Sequence, residues 1–155
     1  MSKLLRFAKC LPALLGILIA LSACNPLIAS YSALAYQNAT TLKIETAALI
    51  DKSSEPYGNH REDVEAATMK IDAAHEFVAG IPANAISAKQ WEILRGDGLY
   101  GGFVNTWANQ GTTTEVYRTE KKKQLADAFD QIICLELNKN SPTTCLAAAP
   151  GGNSK

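Results

Sequence analysis

The stretch Glu55–Ile81, EPYGNHREDVEAATMKIDAAHEFVAGI, decides the fold class. Tyr57, Val64, Ile71 and Val78 recur every seven residues, and His60, Ala67, Ala74 and Ile81 form a companion series. Alternating spacings of three and four place both series on one stripe of a helix, the pattern of antiparallel or coiled-coil-like packing. Arg61, Glu62, Asp63, Glu65, Lys70, Asp72 and Glu76 fall off the stripe, and Gly80 with Pro82 ends the helix. Such a helix needs apolar partners, and the flanking sequence offers them.

Upstream, Leu27–Ser54 lacks Gly and Pro, and Ile28, Ala35, Leu42 and Leu49 recur at a helical period. Asn25-Pro26 fits N-cap and N1, with the end expected near Lys52-Ser53-Ser54. Downstream, Ser87-Ala88-Lys89-Gln90 reads as a capping box with Ile86 and Trp91 as its hydrophobic staple, and Trp91, Ile93 and Leu94 supply core mass. Gly96-Asp97-Gly98 interrupts this helix, Leu99, Phe103 and Trp107 resume it, and Asn109-Gln110-Gly111 stops it. A second capping box, Thr112 to Glu115, opens a last helix with a stripe of Leu125, Ala126, Phe129, Ile132, Ile133 and Leu137. No stretch alternates like a strand. The expected fold is all-α: a small antiparallel bundle of three to four helices, with a broken third helix and an irregular C-terminal tail over 141–155.

The N-terminus reads as an address. Met1–Lys9 carries Lys3, Arg6 and Lys9 without an acidic residue, Leu11–Ala20 is an apolar run, and Leu21-Ser22-Ala23-Cys24 follows. This run is shorter than the roughly 20 residues of a spanning helix. The segment resembles the bacterial lipoprotein class, whose lipobox is Leu, two small residues and Cys. The resemblance covers residues 1–24 and implies a signal peptide over 1–23, a diacylglyceryl group and an N-acyl chain on Cys24, and durable anchoring to a membrane. Asn25, where an Asp would retain the protein at the inner membrane, implies the outer membrane facing the periplasm. The alternative, an uncleaved anchor over Cys10–Tyr36, contains Asn25, Pro26, Ser30 and Ser32 and makes a poor hydrocarbon-spanning helix.

Cleavage changes the composition. The whole chain balances 15 basic against 15 acidic residues over 155 positions, at 47% hydrophobic and 19% charged. That argues against a disordered chain or a nucleic-acid-binding protein. A product starting at Cys24 has 132 residues, and losing Lys3, Arg6 and Lys9 leaves 12 basic residues and a net charge of −3. The expected organisation is a helical domain over 24–140 and a tail over 141–155. Cys10 departs with the signal and Cys24 takes lipid, which leaves Cys134 and Cys145. In an oxidising compartment these are expected to form a structural disulfide stapling the tail at Cys145, since the C-x-x-C spacing of a redox pair is absent.

The remaining motifs are weak. Asp72, His75 and Glu76 could hold a metal on one helical face, but half of a carboxylate-x-x-His arrangement has no second copy here. His60 lies on the apolar stripe, and neither histidine has a nucleophile at local spacing. Gly96-Asp97-Gly98-Leu99-Tyr100-Gly101 matches G-x-G-x-x-G, yet helix rather than strand precedes it. Gly101-Gly102 permits close backbone approach. Lys121-Lys122-Lys123 reads as a solvated face. Trp91, Tyr100, Phe103 and Trp107 cluster around the glycine interruption and are candidate interface anchors. The expected function is a non-enzymatic interaction or structural module that binds another envelope protein, without a cofactor beyond the lipid on Cys24. The alternatives are a metal- or small-ligand-binding bundle and an envelope hydrolase.

Overall fold

The computed structural model describes residues 29–141 and Cys145. Five α-helices follow one another: α1 Ala33–Lys52, α2 Arg61–Ala79, α3 Ala85–Arg95, α4 Tyr100–Gln110 and α5 Glu115–Leu137, with a 3-10 turn at Tyr57–His60 ahead of α2. Among the described residues there is no strand. The signal segment, Cys24 and the proposed Asn25-Pro26 cap lie outside the described residues, as does the tail apart from Ser141 and Cys145.

Polar contacts between the helices record their directions. Along α1 and α5, Ser32 meets Glu136, Lys43 meets Asp130 and Asp51 meets Lys122, so the two run antiparallel. Lys52 with Asp63 and Lys70 with Glu45 set α2 antiparallel to α1. Against α2, Asn84 bonds Val78, Arg95 bonds Asp72 and Tyr100 bonds Val64, while Trp107 reaches Glu55 beyond the start of α2. That ladder carries α3 and α4 in one direction as the two halves of the broken third rod. The result is an antiparallel four-rod bundle.

Val64, Ala67, Ile71, Ala74 and Val78 of α2 are all buried, as the two heptad series require. They pack with Ala35, Ala39, Leu42, Leu49 and Ile50 of α1, Trp91 and Leu94 of α3, Phe103 and Trp107 of α4, and Leu125, Phe129 and Ile132 of α5. Trp91 and Phe129 meet edge-to-face at 5.9 Å between ring centroids, a favoured aromatic geometry. The helix starts differ from the sequence reading. The cap of α1 is Ser32, whose hydroxyl accepts from the Ala35 N–H, and Thr114 rather than Thr112 caps α5 by accepting from the Tyr117 N–H. The Ser87 capping box does not form: α3 begins at Ala85, and Ser87 is a buried residue inside it. Ile93 and Leu137, expected in the core, are 56% and 57% exposed, and Leu135 is buried instead. Leu135 continues the three-residue step from Ile132, whereas Leu137 steps off that face.

The break in the third rod has a steric cause. Leu99 and Gly101 donate their N–H groups to the Gly96 carbonyl at 3.1 Å each, folding the chain back on itself. A Cβ on Gly102 would collide with the Asp97 carbonyl, and one on Gly101 would sit 3.0 Å from the Arg95 carbonyl oxygen. Close backbone approach is therefore what Gly101-Gly102 supplies. Gly111, at φ 79°, provides the left-handed turn that ends α4.

Candidate functional site

The four aromatic residues proposed as interface anchors are part of the interior. Trp91, Phe103 and Trp107 are fully buried and Tyr100 is 2% exposed, so a partner cannot reach them on the folded surface. The apolar periodicity of α3 and α4 turned them inward, and each has a structural task. The Trp107 indole donates to the Glu55 carbonyl at 3.0 Å and its ring packs edge-on to Tyr57. The Tyr100 hydroxyl lies 3.1 Å from Thr68 Oγ1 and 3.3 Å from the Val64 carbonyl. Burial pushes its ionisation up to about 12.

The metal candidates separate. Arg95 donates to Asp72 at 2.9 Å, and the His75 ring pairs with Glu76 at 3.1 Å. Among the described residues no group of three or more His, Cys, Asp or Glu side chains is arranged to hold a metal ion.

His60 is held more tightly than its sequence neighbourhood implied. Its Nδ1 lies 3.1 Å from Asp63 and its Nε2 2.9 Å from Glu55. Both nitrogens can donate at once only when the ring is protonated, and the hydrogen bonds to Glu55 and Asp63 raise its pKa. Lys52, with His60, lowers the pKa of Asp63 in turn. The ring also packs at 5.7 Å on Trp107. Glu55 thus occupies the Nε2 position at which a general base would meet a nucleophile. The arrangement suits a charged clasp between the 3-10 turn, α2 and α4.

At the opposite end of the bundle lies a buried polar cluster. Glu136 and Lys139, three residues apart, form an ion pair at 3.1 Å with side chains only 3% and 4% exposed. Glu136 also accepts the Ser32 N–H at 2.6 Å, and Lys139 donates to Asn84 and, at 2.8 Å, to Ser87. Asn84 closes the set by donating to the Val78 carbonyl. Beside it, Ala29 donates to the Ala83 carbonyl at 2.9 Å, and Ala83 is held at φ 60°, unusual for a residue with a side chain. Cys134 and Cys145 form a disulfide in the same region. The start of α1, the α2–α3 connection and the end of α5 are therefore tied together. Sequence reading missed this cluster because Glu136 and Lys139 look like any solvated pair on a helix end. Ser87, placed mid-helix among apolar neighbours, was the one available signal.

An open cleft of about 530 Å³ lies between α2 and the broken rod, rimmed by Asp72, Glu92, Arg95, Asp97 and Asn105. Lys89 holds Glu92 below the usual carboxylate range. The lysine run is dispersed: Lys122 pairs with Asp51 at 2.7 Å and Lys121 reaches the Gly98 carbonyl at 3.3 Å. Among the described residues no helix is long and apolar enough to cross a membrane. Comparison with protein-family models, curated proteins and solved structures returns no match.

Proposed function

We propose that this chain is a lipid-anchored bacterial envelope protein whose helical domain serves as a non-enzymatic interaction or structural module, facing the periplasm from the outer membrane. The observation that carries the reading is Leu21-Ser22-Ala23-Cys24 behind a cationic start and a short apolar run. The Cys134–Cys145 disulfide supports it, because such bonds persist in oxidising compartments and are rare in the cytosol. Asn25, in place of Asp, favours the outer membrane by the sorting rule of the class. The partner is another envelope protein, and the surface offered to it lies outside the buried aromatic cluster, with the polar-rimmed cleft between α2, α3 and α4 the leading place.

Fractionation tests the anchor. The native chain should pellet with membranes, resist high salt and dissolve in detergent, whereas Cys24→Ser should lose both cleavage at that site and lipid. Mature-sized Cys24→Ser protein remaining in the membrane would contradict the reading. A photo-crosslinker at Asp97 should give a discrete adduct in intact cells that one at Val116 does not; identical patterns at both sites would count against the cleft.

A further inference from the structure

We infer that the end of the bundle bearing Tyr31, Leu34, Ile86 and Leu137 rests against the lipid headgroup layer, an inference that depends on the anchoring proposed above. These four side chains are 52%, 49%, 41% and 57% exposed. They belong to three segments that the buried cluster joins: the start of α1 through Ser32 and Glu136, the start of α3 through Ser87 and Lys139, and the end of α5 through both. Four of the eight exposed large apolar side chains among the described residues thus come from segments joined at one end of the molecule.

Tether length says what faces that end. Ala29, pinned to Ala83, is five residues after Cys24. Five residues span at most about 18 Å even when fully extended. A lipid on Cys24 therefore keeps this end within reach of the bilayer interface, and the opposite end, a bundle length away, points into the periplasm.

The charge distribution agrees. Among the described residues, the charges buried at the anchored end, Glu136 and Lys139, neutralise each other. The nearest exposed ones are Glu76, in the last turn of α2, and Lys89, which pairs with Glu92. At the far end Asp51, Lys52, Glu55, Asp63 and Lys122 are exposed in ion pairs. The buried pair adds no desolvation cost on approach to a bilayer, Lys89 meets it paired with Glu92, and Tyr31 is the residue type enriched at headgroup depth. The hydrogen bonds from Glu136 to Ser32 and from Lys139 to Asn84 and Ser87 hold the three segments in place, so the apolar end acts as one surface.

The test uses the mature lipidated protein on vesicles of phosphatidylethanolamine and phosphatidylglycerol, with a nitroxide on Ile86→Cys or on Val116→Cys at the far end, labelled without reducing the disulfide. Collision with a water-soluble nickel chelate should fall several-fold at position 86 on going from detergent to vesicles, while collision with lipid-soluble oxygen rises. Position 116 should change little. Equal chelate access at both positions on vesicles that carry the protein overturns the inference alone. Protection at 86 that requires crowded vesicles and brings dipolar broadening between labels assigns the surface to a second copy and also overturns it. A chain that lacks acyl mass and does not float with vesicles defeats the anchoring reading, and this inference with it.

Discussion

Lys139→Met leaves the Glu136 carboxylate buried beside the start of α1 with no countercharge. Both side chains are below 5% exposed, so solvent cannot screen the loss. Removing one partner of a buried pair costs about 3–5 kcal/mol, chiefly the penalty of the stranded charge. Asn84 and Ser87 lose a donor as well, at about 1 kcal/mol each if water does not replace it. Met keeps most of the stem, so little of the effect comes from lost volume. With a urea slope of about 2 kcal/mol/M, the unfolding midpoint of the oxidised domain should fall by about 3 M. The assay is urea unfolding followed by circular dichroism, in a Cys24→Ser background to avoid lipid. Glu136→Gln added to Lys139→Met should recover part of the loss, because an amide oxygen still accepts from Ser32 without carrying charge. A Lys139→Met midpoint within the error of wild type, or a double variant as unstable as the single, would refute the reasoning.

Gly102→Ala should destabilise by about 1–3 kcal/mol, since the methyl meets the Asp97 carbonyl and overrides the gain in helix propensity. Gly98→Ala, with open space around its Cβ, is the neutral control in the same thermal melt. Ala83→Gly should raise stability by about 1 kcal/mol by relieving a left-handed backbone position, readable by urea unfolding. Cys145→Ser opens a loop with a sequence separation of 11 residues and should cost about 3 kcal/mol by chain entropy. Reduction of the wild type should reproduce that loss, and no shift on either change would contradict a structural role for the bond. His60 has a raised pKa in the fold, so its clasp is fully in place below the ordinary value near 6.5 and is lost as pH rises through the raised one. A wild-type stability decrement as pH rises above 6.5 should vanish in His60→Gln.

The helical class was legible because α2 repeats two apolar series over nineteen residues, long enough for periodicity to dominate. The break after Arg95 was legible because glycine is the residue that permits it. Starts were less legible, because capping signatures are short: Ser87-Ala88-Lys89-Gln90 has the right letters but lies inside a helix, with its hydroxyl committed to Lys139. The aromatic cluster misled for a physical reason. Trp and Tyr are enriched both at interfaces and in cores, and only tertiary contact assigns Trp91 or Tyr100 to one of them. The buried polar cluster joins Ser32, Asn84, Ser87, Glu136 and Lys139, and its Ser32–Glu136 bond alone spans 104 positions. No local pattern carries an association that distant. The Cys134–Cys145 pairing was expected because the lipobox reading removed the two competing cysteines.

The measurement that bears most directly on the anchored-module reading is the mass of the N-terminal tryptic peptide from protein purified out of its native envelope. After Cys24 the first cleavage site is Lys43, so processing at the lipobox gives a peptide over 24–43. The account predicts that this peptide begins at Cys24 and carries a diacylglyceryl group and an amide-linked acyl chain. A membrane-bound chain that retains its first residues, or an unmodified Cys24, would contradict it.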